Sequence, residues 1–129
     1  MAELKENAIT KVATVTGIDA KTVAVTTLYT VPAGKTFIPV FVVIRCTAFT
    51  VGSKSVQAIA SFGGNSATYD DFLNTQTYTI AAISTFIKDG VEDAALAVQA
   101  AADEFKISVE TGSDAGVETW AVDLFGYLV

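Results

Sequence analysis

A chain of 129 residues is the length of one domain, and at that size folding withdraws roughly two-thirds of the unfolded surface from water, enough for a core without disulfides or metal. Apolar residues make up 51% and charged residues 17%, a surface short of charge, so apolar side chains must be covered on both faces of some elements or shared with a partner; oligomerisation is the expectation. A net charge of −6, with Arg45 as the single arginine and scattered lysines, excludes nucleic acid as a ligand, because phosphate contacts need clustered cations.

Taken in chain order, Met1-Ala-Glu-Leu-Lys-Glu6 is charged and lacks the apolar stretch of a signal sequence. No segment reaches the length of a membrane span, so no membrane partner is expected. Residues 1–8 read as a possible arm on a single domain over 1–129. The Thr- and Val-rich runs that follow, separated by Gly, Asn, Asp and Ser, read as about eight short strands. Ile9 to Val15 and Lys21 to Tyr29 come first, with a turn at Thr16 to Ala20; Val23 and Val25 alternate with Thr22, Ala24 and Thr26, the period of a half-buried strand. Val31-Pro-Ala-Gly-Lys35 turns tightly. The run Thr36 to Val51 is apolar on both alternating sets, so it should be covered on both faces; Pro39 implies a bulge or an edge near its start. Val56 to Phe62 is a strand closed by Gly63-Gly-Asn-Ser66, and Ala67 to Asp71 can add a short piece. Gln76 to Lys88 reads as one long strand closed by an Asp89-Gly90 turn. Val91 to Ala102 has both helix propensity and a strand reading, Leu96-Ala-Val-Gln99, and the strand is favoured. Glu104 to Thr111 alternates, with Phe105, Ile107 and Val109 inward, and Val117 to Val129 closes the chain. Eight antiparallel strands in this length suit an all-β sandwich, jelly-roll-like, with an up-and-down barrel as the competitor.

The chain holds no histidine. That removes the usual general base, the usual partner of a Ser or Cys nucleophile and the commonest zinc ligand, so no enzyme activity, cofactor or metal is expected. Cys46 lies in an apolar run and reads as a packed thiol. The acidic pairs Asp70-Asp71, Glu92-Asp93 and Asp103-Glu104 could in principle serve carboxylate chemistry or calcium, but they fall in turns. Tyr69, Phe72, Tyr78 and Trp120 are aromatic candidates for sugar stacking, against a plainer reading as core or interface. Arg45 either emerges at a sheet surface or pairs across a subunit interface, with Asp123 as partner.

Leu28-Tyr-Thr-Val-Pro-Ala-Gly-Lys-Thr36 before a long apolar strand, Ala102-Asp-Glu-Phe-Lys-Ile-Ser-Val-Glu-Thr-Gly112 and the closing Val122-Asp-Leu-Phe-Gly-Tyr-Leu-Val129 resemble small jelly-roll structural proteins of tailed bacteriophages. The resemblance runs from about Thr27 onward and departs at Ala102, where such patterns commonly carry Gly. It implies a sandwich that assembles, often as a homotrimer, on a phage particle. The leading expectation is a capsid decoration or cement protein on the virion surface, with itself and the major capsid protein as partners. A tail, baseplate or fibre head that binds a receptor or carbohydrate through the Asn65 to Phe72 loop is the alternative; a cupin-type enzyme shares the fold but not the histidines. Phe37, Phe41, Trp120, Phe125 and Tyr127 are the expected packing residues of the oligomer interface, and Arg45 and Asp123 its polar ones. Reversing Arg45 is expected to damage assembly more than reversing Lys54.

Overall fold

The computed structural model describes residues 8–90 and 98–129. Eight strands are present among them: β1 (Thr10–Asp19), β2 (Ala24–Thr30), β3 (Phe37–Thr50), β4 (Ala58–Gly63), β5 (Leu73–Tyr78), β6 (Phe86–Gly90), β7 (Glu104–Thr111) and β8 (Val117–Leu128). They form two antiparallel four-stranded sheets, in the orders β1-β8-β3-β6 and β2-β7-β4-β5. Only β4 and β5 are consecutive in both chain and sheet; every other connection passes from one sheet to the other. The result is a β-sandwich with two open edges per sheet, not a closed barrel. Among the described residues no helix is long and apolar enough to cross a membrane.

The alternation in the sequence fixes what lies between the sheets. Val42, Ile44 and Cys46 from β3 and Trp120, Val122 and Leu124 from β8 meet Ala58, Ala60 and Phe62 from β4 and Phe105, Ile107 and Val109 from β7 in one buried cluster. Edge-to-face ring pairs stitch the layers: Tyr78 with Trp120 at 5.9 Å and Phe37 with Phe105 at 6.1 Å between centroids, a geometry the ring quadrupoles favour. At the β5 and β6 edges the Tyr78 hydroxyl donates to Asp89 Oδ2 at 3.0 Å, linking the two sheets. Burial first, and then the adjacent carboxylate, push that phenol up, so it stays a donor.

Several expected boundaries move, each for a local reason. β1 runs through the expected turn to Asp19, because Gly17 at φ 72° absorbs a bulge opposite β8. The expected single run Gln76 to Lys88 is two strands in different sheets, since residues 79–85 cross the sandwich and drop Ile80 into the core. Asp89-Gly90 is part of β6 and not a turn; a Cβ at Gly90 would stand 2.5 Å from the Val40 carbonyl oxygen, so only glycine lets the strands close there. Pro39 sits at a register shift in β3, the bulge its missing N–H calls for. Ala67 to Asp71 forms no strand. The helix-or-strand segment from Val91 lies outside the described residues up to 97, as do residues 1–7 of the expected arm; Gln99 beyond it makes an isolated bridge with Phe37.

Candidate interaction surface

The outward residues of the two sheets differ in kind. On the β2-β7-β4-β5 sheet they are mainly polar: Thr27, Lys106, Ser108, Glu110, Ser61 and Thr75, with Val25 an exposed apolar exception beside Ser108 and the loop after β4 folded over Ser61, whose hydroxyl donates to the Thr68 carbonyl at 3.1 Å. On the β1-β8-β3-β6 sheet, register aligns Lys11 with Phe125 and Phe125 with Phe41, then Thr14, Asp123, Val43 and Lys88, then Ala121, Arg45 and Phe86. This second face is the candidate site.

Its aromatic end is built by cross-strand pairing. Phe41 and Phe125 stack with centroids 4.5 Å apart and planes 16° from parallel, and Lys88 Nζ stands 4.4 Å above the Phe41 ring. Its centre is polar and fixed. Arg45 donates from Nε to Asp123 Oδ2 at 3.0 Å and from Nη2 to Oδ1 at 3.1 Å, and Thr14 Oγ1 donates to Oδ1 at 2.7 Å. Burial pushes the Asp123 carboxyl up, but the hydrogen bonds from Arg45 and Thr14 outweigh it and hold the group below its ordinary value. At the far end, Arg45, Thr47, Ile83, Ser84 and Phe86 line an open cleft of about 390 Å³. Phe86 is 71% exposed and Ile83 58%, so the rim is apolar.

Of the expected interface residues, Phe41, Arg45, Asp123, Phe125 and Tyr127 lie on this face. Phe37 and Trp120 do not: both are fully buried within one chain, because β3 and β8 turn them toward the opposite sheet. Asp123 is the partner of Arg45, but within the chain and not across subunits. Lys54 is no neutral comparison for Arg45. Its ammonium is buried against Glu118 Oε1 at 2.5 Å and donates to Ser113 Oγ at 3.0 Å, while Trp120 Nε1 donates to Glu118 Oε2 at 3.0 Å. Cys46 is buried, its thiol pushed up by burial first and Glu118 next. Lys11, Phe86 and Lys88 escaped the sequence reading, although the alternation Phe86, Lys88 carried the signal once β6 is separated from β5.

The Asn65 to Phe72 loop is occupied with itself. Asn65 Oδ1 accepts from the Asp70 and Asp71 N–H groups at 2.7 and 3.0 Å, Asn65 Nδ2 donates to Asp70 Oδ1 at 2.8 Å, and Asp71 Oδ1 accepts from Gly64 N–H at 2.8 Å. The bond from Asn65 Nδ2, and a second from Thr68 Oγ1 at 2.9 Å, hold the Asp70 carboxyl below its ordinary value. Phe72, Tyr78 and Trp120 are buried, and Lys106 Nζ stands 5.1 Å from the Tyr69 ring, so the aromatic candidates for sugar stacking are largely consumed by the fold.

No protein-family model matches the chain, and no curated protein matches it. Among solved structures, it is similar to a chain of the acidic stable capsid structure of Helicobacter pylori bacteriophage KHP30, with a TM-score of 0.51 over 95% of both chains and 12% sequence identity. At that identity the likeness is one of fold.

Proposed function

We propose that this chain is a structural protein of a phage particle, a decoration or cement protein that binds the assembled head and stabilises it. The observation that carries the reading is the fold likeness to a phage capsid chain across nearly the whole of both chains. We read the strand crossing order as a jelly roll, a sandwich that viral capsid domains use. The aromatic face of the β1-β8-β3-β6 sheet supports an assembling role, because a small monomer has little reason to keep Phe86, Phe41 and Phe125 toward solvent. The mechanism needs no bond chemistry: a protein that binds the closed shell and not its parts stabilises the shell by mass action. The phage resemblance adds a homotrimer, which light scattering tests through a mass three times that of the chain.

Particles assembled without this protein are the test. Added back, it should saturate a fixed number of sites on the shell and raise the temperature at which heads disrupt. Failure to bind shells, together with binding to host cells or glycans, would assign it to the receptor-binding class instead.

A further inference from the structure

Register sets the outward residues of the β1-β8-β3-β6 sheet in rows across its strands: Lys11, Phe125, Phe41 and Gly90; then Thr14, Asp123, Val43 and Lys88; then Ala121, Arg45 and Phe86; then Asp19 and Thr119. At the centre of this array Arg45 and Asp123 answer each other's charge within the chain. The other charges are exposed and set apart: Lys11 and Asp19 lie near opposite ends of β1, and Lys88 lies one row from Phe86 on β6. Asp19 accepts from the Lys21 N–H and the Thr22 hydroxyl at 2.9 and 2.8 Å, and because a carboxylate has about four acceptor sites it keeps room for an ammonium.

Reversing the order of these rows matches the face to itself. We propose that it packs on the same face of a second copy, the two related by a two-fold axis that lies between the faces, runs perpendicular to the strands and passes between the levels of Val43 and Arg45. That operation keeps each strand opposite its own counterpart and exchanges first row with last and second with third. Lys11 then stands over Asp19 of the second copy, and Lys88 over Phe86 of the second copy. Each contact occurs twice, giving two ion pairs and two cation–π contacts from one patch. A two-fold axis parallel to the strands would instead set Lys11 over Gly90 and Lys88 over Thr14, and would match no charges. The stacked Phe41 and Phe125 rings and the apolar rim at Ile83 and Phe86 are withdrawn from water in the same contact, which drives it. This goes beyond the decoration reading and does not depend on it. It requires an even number of copies: two, or six where trimers pair through this face.

The test is the mass of the full chain by light scattering over a concentration series, which for wild type should be an even multiple of the chain. Lys11→Glu, Asp19→Lys and Phe86→Lys each set like charges opposite one another across the axis and should weaken association about tenfold or more. Lys35→Glu, an exposed lysine in the turn before β3 with the same change in net charge as Lys11→Glu, should associate like wild type. An equimolar mixture of Lys11→Glu and Asp19→Lys should recover the wild-type mass, because both ion pairs of the mixed pair are then opposite in charge. Unchanged melting temperatures establish that the variants fold; should Asp19→Lys lose its turn and melt early, Lys11→Glu and Phe86→Lys decide alone. A wild-type mass of one or three chains overturns the contact, as does association that ignores Lys11→Glu and Phe86→Lys, or well-folded variants that fail to associate when mixed. A mass of three chains would do so while supporting the trimer, and none of these outcomes touches binding to heads.

Discussion

Two ion pairs in this chain do different work because their burial differs. Lys54 and Glu118 are both sealed from water, and a charge there without its partner has nowhere to go. Lys54→Met should therefore cost about 3–5 kcal/mol, whereas Lys54→Met with Glu118→Leu should recover much of that loss; urea unfolding of the two single variants and the double variant measures it, and additive losses would contradict the coupling. Trp120→Ala should cost a similar amount, about 3–5 kcal/mol, since it empties the centre of the core and removes the N–H that Glu118 Oε2 accepts; an unchanged midpoint would contradict its place in the core. Arg45 and Asp123 sit nearer solvent, and their effect shows in pH dependence. The folded Asp123 pKa lies below its unfolded value of about 4. Its contribution is therefore complete above that value and is lost as pH falls toward and through the folded pKa. Thermal melts from pH 7 to pH 2 should fall less steeply for Asp123→Asn; identical slopes would show that the pairing adds nothing. Asp123 could be named as a partner for Arg45 from the sequence because it interrupts an apolar strand, whereas the Lys54–Glu118 pair could not, because a turn and a strand remote in the chain are brought together only by the sandwich.

At the scale of elements, the strands that alternate were readable and the connections were not. β7 is inward at Phe105, Ile107 and Val109 as its period requires, and β3 and β8 are covered along their inner faces and half-covered outside. The run from Gln76 to Lys88 misled because its residues have strand propensity throughout, while the crossing between sheets is set by where Ile80 can be buried. The turn into β7 holds a second lesson. Ala102, which stands where the phage pattern carries glycine, adopts φ 71°, a conformation that crowds its Cβ. Ala102→Gly should accordingly stabilise the protein by about 1 kcal/mol, seen as a rise in denaturation midpoint; a fall would mean that the entropy of glycine in the unfolded chain outweighs the relief.

The whole molecule is organised around contacts remote in sequence. β1 pairs with β8, β2 with β7 and β3 with β8, so strands far apart in the chain must meet before either sheet can form. Closing such loops costs entropy before any pairing repays it, and refolding in stopped flow should take milliseconds to seconds; completion in microseconds would not fit this topology. The same architecture leaves one mainly polar outer face and one that carries the rings of Phe41, Phe86 and Phe125.

Composition and alternation by themselves determined that this chain is an all-β sandwich of about eight strands, since period-two burial and the scarcity of charge are properties of the chain alone. Which side chains are spent inside and which remain for a partner was decided only by tertiary structure. Phe37, Phe41, Trp120 and Phe125 are alike as aromatic residues in apolar strands, and a strand has two faces. Only the stacking of one sheet on the other buries the first and third and leaves the second and fourth on the outer face.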